Sequence, residues 1–223
     1  MPARKEAQKR RRLRPEARRA ELLSALERVL GREGHAGATV PKVVAEAGAA
    51  QGSFYRYFRD IDDAFVALTH ELLTPVVDAV LAMDPGSART PSDLEAALLP
   101  FYRAFAAQLA AHPAAMHEAL IAASSERGEA GRVLALALDA LRGRAEDLLR
   151  LELGGRRIEE PRLVSAAVLG MALGAAHEAT RLEGRFDTEA WAKTMARFET
   201  GGLMRVARVR RVREGGGKHA RQR

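Results

Sequence analysis

Thr39-Val40-Pro41-Lys42-Val43-Val44-Ala45-Glu46-Ala47-Gly48-Ala49-Ala50-Gln51-Gly52-Ser53-Phe54-Tyr55-Arg56-Tyr57-Phe58 joins two short helices through a turn opened by glycine. Thr39 can cap the first helix, whose opening turn tolerates Pro41 because its first N–H groups have no intrahelical partner. Gly48 ends that helix where the chain needs a positive φ. Val43, Val44, Ala47 and Phe54 offer apolar side chains to hold the two helices at their angle. This is the helix-turn-helix arrangement. The second helix, read from Gln51 to about Phe58, exposes Gln51, Ser53, Tyr55, Arg56 and Tyr57, types that hydrogen-bond base edges or phosphates. Phe54 and Phe58 read as core. Helical hairpins with polar faces also occur in proteins that touch no nucleic acid, so periodicity alone leaves both readings open.

Outward from this stretch the chain is punctuated as a series of helices. Leu22, Leu26, Val29 and Leu30 mark one apolar face of a first helix from Pro15 to Gly34. Asp60 caps a fourth helix, which Asp84-Pro85-Gly86-Ser87 ends; Pro113 separates the fifth and sixth; Gly154-Gly155 ends a long helix from about Glu129; Pro161 opens the next. Asp187 or Thr188 starts the last helix, which runs into a basic tail and frays at Gly215-Gly216-Gly217. Pro75 and Pro100 fall inside helical stretches and are expected to kink or break them. The expected fold is all-α, about nine helices and no sheet. It divides into a basic arm (1–14), a three-helix DNA-binding module (15–60), a larger helical domain (61–212) and a basic tail (213–223).

The charge follows the same division. The 223 residues hold 36 Lys+Arg against 29 Asp+Glu, a formal net charge of +7. Residues 1–19 alone carry +7 and residues 205–223 another +7, which leaves residues 20–204 at −7. An acidic body with two basic ends suits phosphate or an anionic surface as partner, or simply solvated tails.

Several function classes drop out. There is no cysteine, which removes disulfide scaffolds, thiolate metal sites and cysteine nucleophiles. His70-Glu71, His117-Glu118 and His177-Glu178 would need a second histidine four residues after the first for zinc-peptidase geometry, but Thr74, Ile121 and Arg181 stand there. Neither a nucleophile elbow nor a phosphate-cradling Gly-rich loop occurs. The expectation is a non-enzyme without metal or cofactor. The longest apolar run, Leu163 to Ala176, has 14 residues against the roughly 20 a membrane span needs, so it reads as a buried helix and no membrane partner is expected.

From Leu22 to Phe65 the sequence resembles the TetR family of bacterial transcriptional regulators. The likeness is carried by Leu22-Leu23, Ala25, Val29-Leu30, Gly34, Thr39-Val40, Ala47-Gly48 and Gly52-Ser53-Phe54-Tyr55-Arg56-Tyr57-Phe58. It implies a cytoplasmic, homodimeric, ligand-responsive regulator, most often a repressor, bound to a near-palindromic operator. Position by position, it implies backbone contacts by Thr39, Tyr55 and Tyr57, base contacts by Gln51, Ser53 and Arg56, and a weaker phosphate contact by Lys42. The pattern departs at three places: Ile61 stands where a lysine usually opens helix four, Ala50 replaces a capping serine, and His35 replaces an aromatic. The competing reading is a nonspecific, architectural DNA-coating protein in which the tails do most of the binding.

The resemblance further implies that the larger domain binds a small effector and forms the dimer. Ala166, Gly170 and Gly174 offer a stripe of small side chains for close helix contact, between copies or within one subunit. Phe101, Tyr102, Phe105, Met116, His117, Met171 and His177 are the candidate pocket lining, with ordinary core as the competing reading. Their mixture, with no Lys/Arg cluster on helices five and six, favours a lipophilic small molecule over a strongly anionic one.

Overall fold

The computed structural model describes residues 14–84, 88–125, 128–150, 156–182 and 186–209. Most of the basic arm, the basic tail with Gly215–Gly217, Pro85-Gly86-Ser87 and Gly154-Gly155 lie outside the described residues. Nine helices are present among those described: α1 (Pro15–Gly37), α2 (Val40–Glu46), α3 (Gln51–Phe54), α4 (Ile61–Leu81), α5 (Pro91–Ala111), α6 (Pro113–Ser125), α7 (Gly128–Leu149), α8 (Pro161–Ala179) and α9 (Thr188–Val206).

The helix ends follow local chemistry. α1 is helical only as far as Gly34, whose φ of 67° sharply turns the last residues away. Asp60 Oδ1 accepts from Asp63 N–H at the start of α4, and Asp187 does the same for Ala190 before α9. Thr90 and Asp93 form a reciprocal capping box on α5.

The absence of sheet fails as an expectation, and of the kink or break expected at Pro75 and Pro100 the break does not occur: α4 and α5 run through them. Both prolines sit on exposed faces, where the carbonyl each leaves unbonded can face water, while Leu72 and Val76, and Leu98 and Tyr102, hold the opposite face in the core. A small sheet also exists: β1 (Arg156–Ile158) pairs antiparallel with β2 (Ala207–Val209), with Ile158 opposite Ala207, both buried.

One hydrophobic core runs from the N-terminal module through the larger domain. α4 has the length and apolar composition of a membrane span, yet it buries Phe65, Leu68, Leu72 and Val76 among its neighbours. α9 lies along α5, where Arg103 clasps Glu189 with two hydrogen bonds of 2.9 and 2.7 Å and Arg197 reaches Glu95 at 3.0 Å. Trp191 meets Tyr102, Phe105 and Phe186 edge-on, with ring centroids 5.8–6.0 Å apart. The expectation that residues 163–176 are buried is corrected. α8 buries only Ser165, Ala172, Ala176 and Ala179, and Leu163 is 69% exposed. In a single chain this apolar helix is half uncovered.

Candidate functional site

The N-terminal module is built on α1. Leu22, Leu23, Ala25, Leu26, Val29 and Leu30 form a buried stripe, and Val43, Val44, Phe54 and Phe58 belong to the same core. Gly48 adopts φ 58° in the turn, as its position requires, and Ala49 N–H donates to Val44 O at 2.8 Å to close it. α1 also grips α2 by charge: Arg28 and Arg32 donate to the two oxygens of Glu46 at 2.6 and 2.7 Å, which holds that carboxyl below the usual carboxylate range. Arg19 lies 5.5 Å over the Phe58 ring and pairs with Glu71 of α4.

The recognition helix is shorter than its sequence suggests. α3 closes at Phe54, and residues 55–57 continue as a turn in which Tyr57 N–H and Phe58 N–H both donate to Phe54 O. With Ala50 at its N-cap no side chain bonds the first turn. Gln51, Gly52, Tyr55 and Arg56 are exposed; Ser53 and Tyr57 are half-buried, Tyr57 against the core. Nothing lies within 4 Å of where a Gly52 side chain would begin, so the backbone there is open to close approach. Thr39 is exposed at the α2 N-cap without bonding the helix through its side chain. Lys42 is exposed, but its ammonium is held by Glu33 and by Gly37 O at 2.9 Å, so it must exchange those partners to meet a phosphate. Ile61 packs against the core in place of the missing cation, and His35 fills the aromatic position by meeting the Phe65 ring at 4.6 Å.

Polar links tie this module to the larger domain. α4 starts directly after the Asp60 cap. His112 Nδ1 is 2.7 Å from Glu27 Oε1, and His35 Nε2 stands 3.3 Å from Asp62 Oδ1 without a hydrogen bond to it.

In the larger domain, α4–α8 line a chamber of about 530 Å³ that is partly open to the surface. Phe101, Phe105 and Met116 line it. A smaller space of about 100 Å³ shares Val80, Phe101, Leu141, Leu169 and Ala172 with it and reaches Ser165 and Glu199. The other sequence candidates lie elsewhere. Tyr102 is wholly buried, and its hydroxyl donates to Glu199 Oε2 at 2.5 Å. His117 stacks on His177 with centroids 5.0 Å apart and sets Nδ1 3.1 Å from Thr180 Oγ1. Met171 packs against the core outside the lining. Their polar groups are thus spent within the protein. Ala166, Gly170 and Gly174 all lie on the exposed face of α8, and a Cβ at either glycine would meet nothing within 4 Å. Close packing within one subunit does not account for that stripe.

Glu199 was missed in the sequence, although a signal was there: it interrupts the apolar face made by Ala192, Met195, Ala196 and Leu203. Burial pushes its carboxyl up to about 7, with the Tyr102 hydrogen bond pulling the other way. Below its unfolded value of 4.5 the group is neutral whether folded or not. As pH rises toward and through about 7, the unfolded chain ionises freely while the folded chain cannot, so the contribution to stability is lost. Glu199→Gln, which keeps an acceptor for Tyr102, should therefore raise Tm more at pH 8 than at pH 5, by up to about 3 kcal/mol of stability. A Tm difference that does not change with pH would refute this.

A predominantly helical chain with an N-terminal helix-turn-helix and a larger helical domain has the architecture of DNA-binding transcriptional regulators. Residues 22–68 match the family model for bacterial regulatory proteins of the tetR family. The chain carries the TetR-family DNA-binding module and the fold of its regulators. Among solved structures it is similar to the fatty acid degradation regulator FadR from Bacillus halodurans (22% identity, TM-score 0.68, covering 82% of this chain and 98% of that one). It is also similar to SmeT, the repressor of the Stenotrophomonas maltophilia multidrug efflux pump SmeDEF (19%, 0.62, 85% and 90%), and to the SmeT–triclosan complex (19%, 0.59, 83% and 91%). No curated protein matches the chain.

Proposed function

We propose that this protein is a cytoplasmic, ligand-responsive repressor that binds a near-palindromic operator as a homodimer. In this reading residues 15–60 form the DNA-binding domain and residues 61–212 the effector and dimerisation domain. One observation carries the proposal: the exposed face of Gln51, Tyr55 and Arg56 sits on a module continuous with α4, and α4 also walls the chamber. A ligand that prefers one position of α4 biases the spacing of the two recognition helices, and it changes DNA affinity only by that preference. The chamber is lined chiefly by aliphatic and aromatic side chains, which suits a lipophilic effector. The structurally similar fatty acid degradation regulator FadR and the SmeT–triclosan complex support the same chemistry.

Operator duplexes are to be selected from a random pool with the full chain, then challenged with triclosan as a lipophilic probe. The expected result is selective binding, lost on addition of the probe, with Phe105→Leu weakening the release and leaving ligand-free binding unchanged. Retention of all duplexes alike at physiological salt would favour the architectural reading, which the +7 charge at each end of the chain also supports.

A further inference from the structure

The chamber is apolar, but two of its lining side chains carry polar atoms with no partner. Thr69, on α4, is 1% exposed, and its Oγ1 makes no hydrogen bond. Thr74 and Thr194 return the hydroxyl to the carbonyl four residues back, to His70 O at 2.7 Å and Ala190 O at 2.8 Å, whereas Thr69 on the chamber wall and Thr200 on α9 do not. Arg144, on α7, lines the same chamber with a buried Nε that nothing accepts from. Its neighbours on the helix are matched: Arg142 with Asp139 at 2.9 Å, Arg150 with Glu146. Arg144 has no ion pair among the described residues. Arg144 is half-buried. A buried guanidinium N–H without an acceptor is costly, and a negative group placed beside it removes that cost.

The protein does not supply the negative group. Two carboxylates line the joined spaces. Asp78 is exposed on α4, and Glu199 sits in the smaller space with its Oε2 engaged by Tyr102. We infer that the effector is a lipophilic carboxylate: its carboxylate accepts from the Arg144 guanidinium, and its hydrocarbon body fills the space beside Phe101, Phe105 and Met116. Thr69, on α4, offers a second donor in the same lining. This inference rests on the ligand-responsive reading above and narrows its ligand. Arg142 also lines the smaller space but is paired with Asp139, so Arg144 on α7, rather than a cluster on α5 and α6, sets the charge preference.

Decanoate and decan-1-ol share a chain and differ in the head group, so calorimetric titration of the full chain with each isolates the charge. Decanoate should bind about tenfold more tightly, the size of one charge-assisted hydrogen bond. Arg144→Met should bring the two affinities to near equality by weakening decanoate alone, and Arg144→Lys should restore part of the difference. Equal binding of the two ligands by the wild type, no binding of decanoate, or an undiminished preference in Arg144→Met would each overturn the inference. Should Arg144→Met fail to fold, the wild-type ratio decides alone. Release of operator by triclosan with no decanoate binding would overturn the carboxylate and leave the repressor reading standing. Selective decanoate binding without operator release would support the carboxylate and overturn that reading.

Discussion

Replacing Tyr55 by alanine is expected to weaken binding to operator and to random duplex alike, by about tenfold or more, whereas Gln51→Ala mainly relaxes discrimination between them by about 1–3 kcal/mol. The difference follows from where the two side chains stand. Tyr55 is 55% exposed just past the end of α3, its ring held edge-on by buried Phe54 at 5.8 Å, so its hydroxyl is presented on a fixed support suited to a phosphate oxygen. Gln51 opens α3 and is exposed, with both an amide donor and a carbonyl acceptor to offer a base edge. Neither side chain belongs to the core, so both variants should fold as the parent does. The measurement is a pair of titrations, on the selected operator and on a scrambled duplex, for each variant at fixed salt. Loss of discrimination in Tyr55→Ala with affinity otherwise kept would reverse the assigned roles.

Gly170→Leu is expected to convert the protein to a monomer and to cost about 10²–10⁴ in operator affinity, the loss that comes from uncoupling two linked binding events. In one chain the new side chain enters open space, since nothing lies within 4 Å of its Cβ position. The fold therefore has no reason to suffer. In a dimer closed over α8 the same side chain meets the partner helix where Ala166, Gly170 and Gly174 allow close approach. α9 adds an outward face of its own, with Phe198 69% exposed and Gly201 and Gly202 beside it. Sedimentation showing an unchanged dimer for the folded variant would refute this placement.

What the sequence displayed was mostly local. Gly34, Gly48, Asp60, Pro113, Pro161 and Asp187 mark boundaries through their own backbone chemistry, and each does so in the structure. Pro75 and Pro100 misled because a missing hydrogen bond is a local signal, and burial on the far side of the helix outweighs it. The β1–β2 pair was illegible: Arg156-Arg157-Ile158 and Ala207-Arg208-Val209 are too short to show an alternating pattern. The same limit applies at the chamber. Phe101, Phe105 and Met116 could be suspected from their type, but the distinctive members are Thr69, Arg144 and Glu199. Glu199 takes its meaning from Tyr102, 97 residues away, and Thr69 and Arg144 take theirs from polar atoms left without a partner once the chain has folded. Glu199 and Thr69 did leave a trace, as polar residues on otherwise apolar helical faces.

The short ribbon between β1 and β2 has an effect out of proportion to its size. Its register fixes residue 158 opposite 207, which closes through strand pairing a loop of about fifty residues that contains α8 and α9. The ends of both helices are thereby tied together before any second copy arrives. The freedom that two separate helices would surrender on meeting a partner has already been given up in folding, so the uncovered faces of α8 and α9 meet another molecule as one prepared plate.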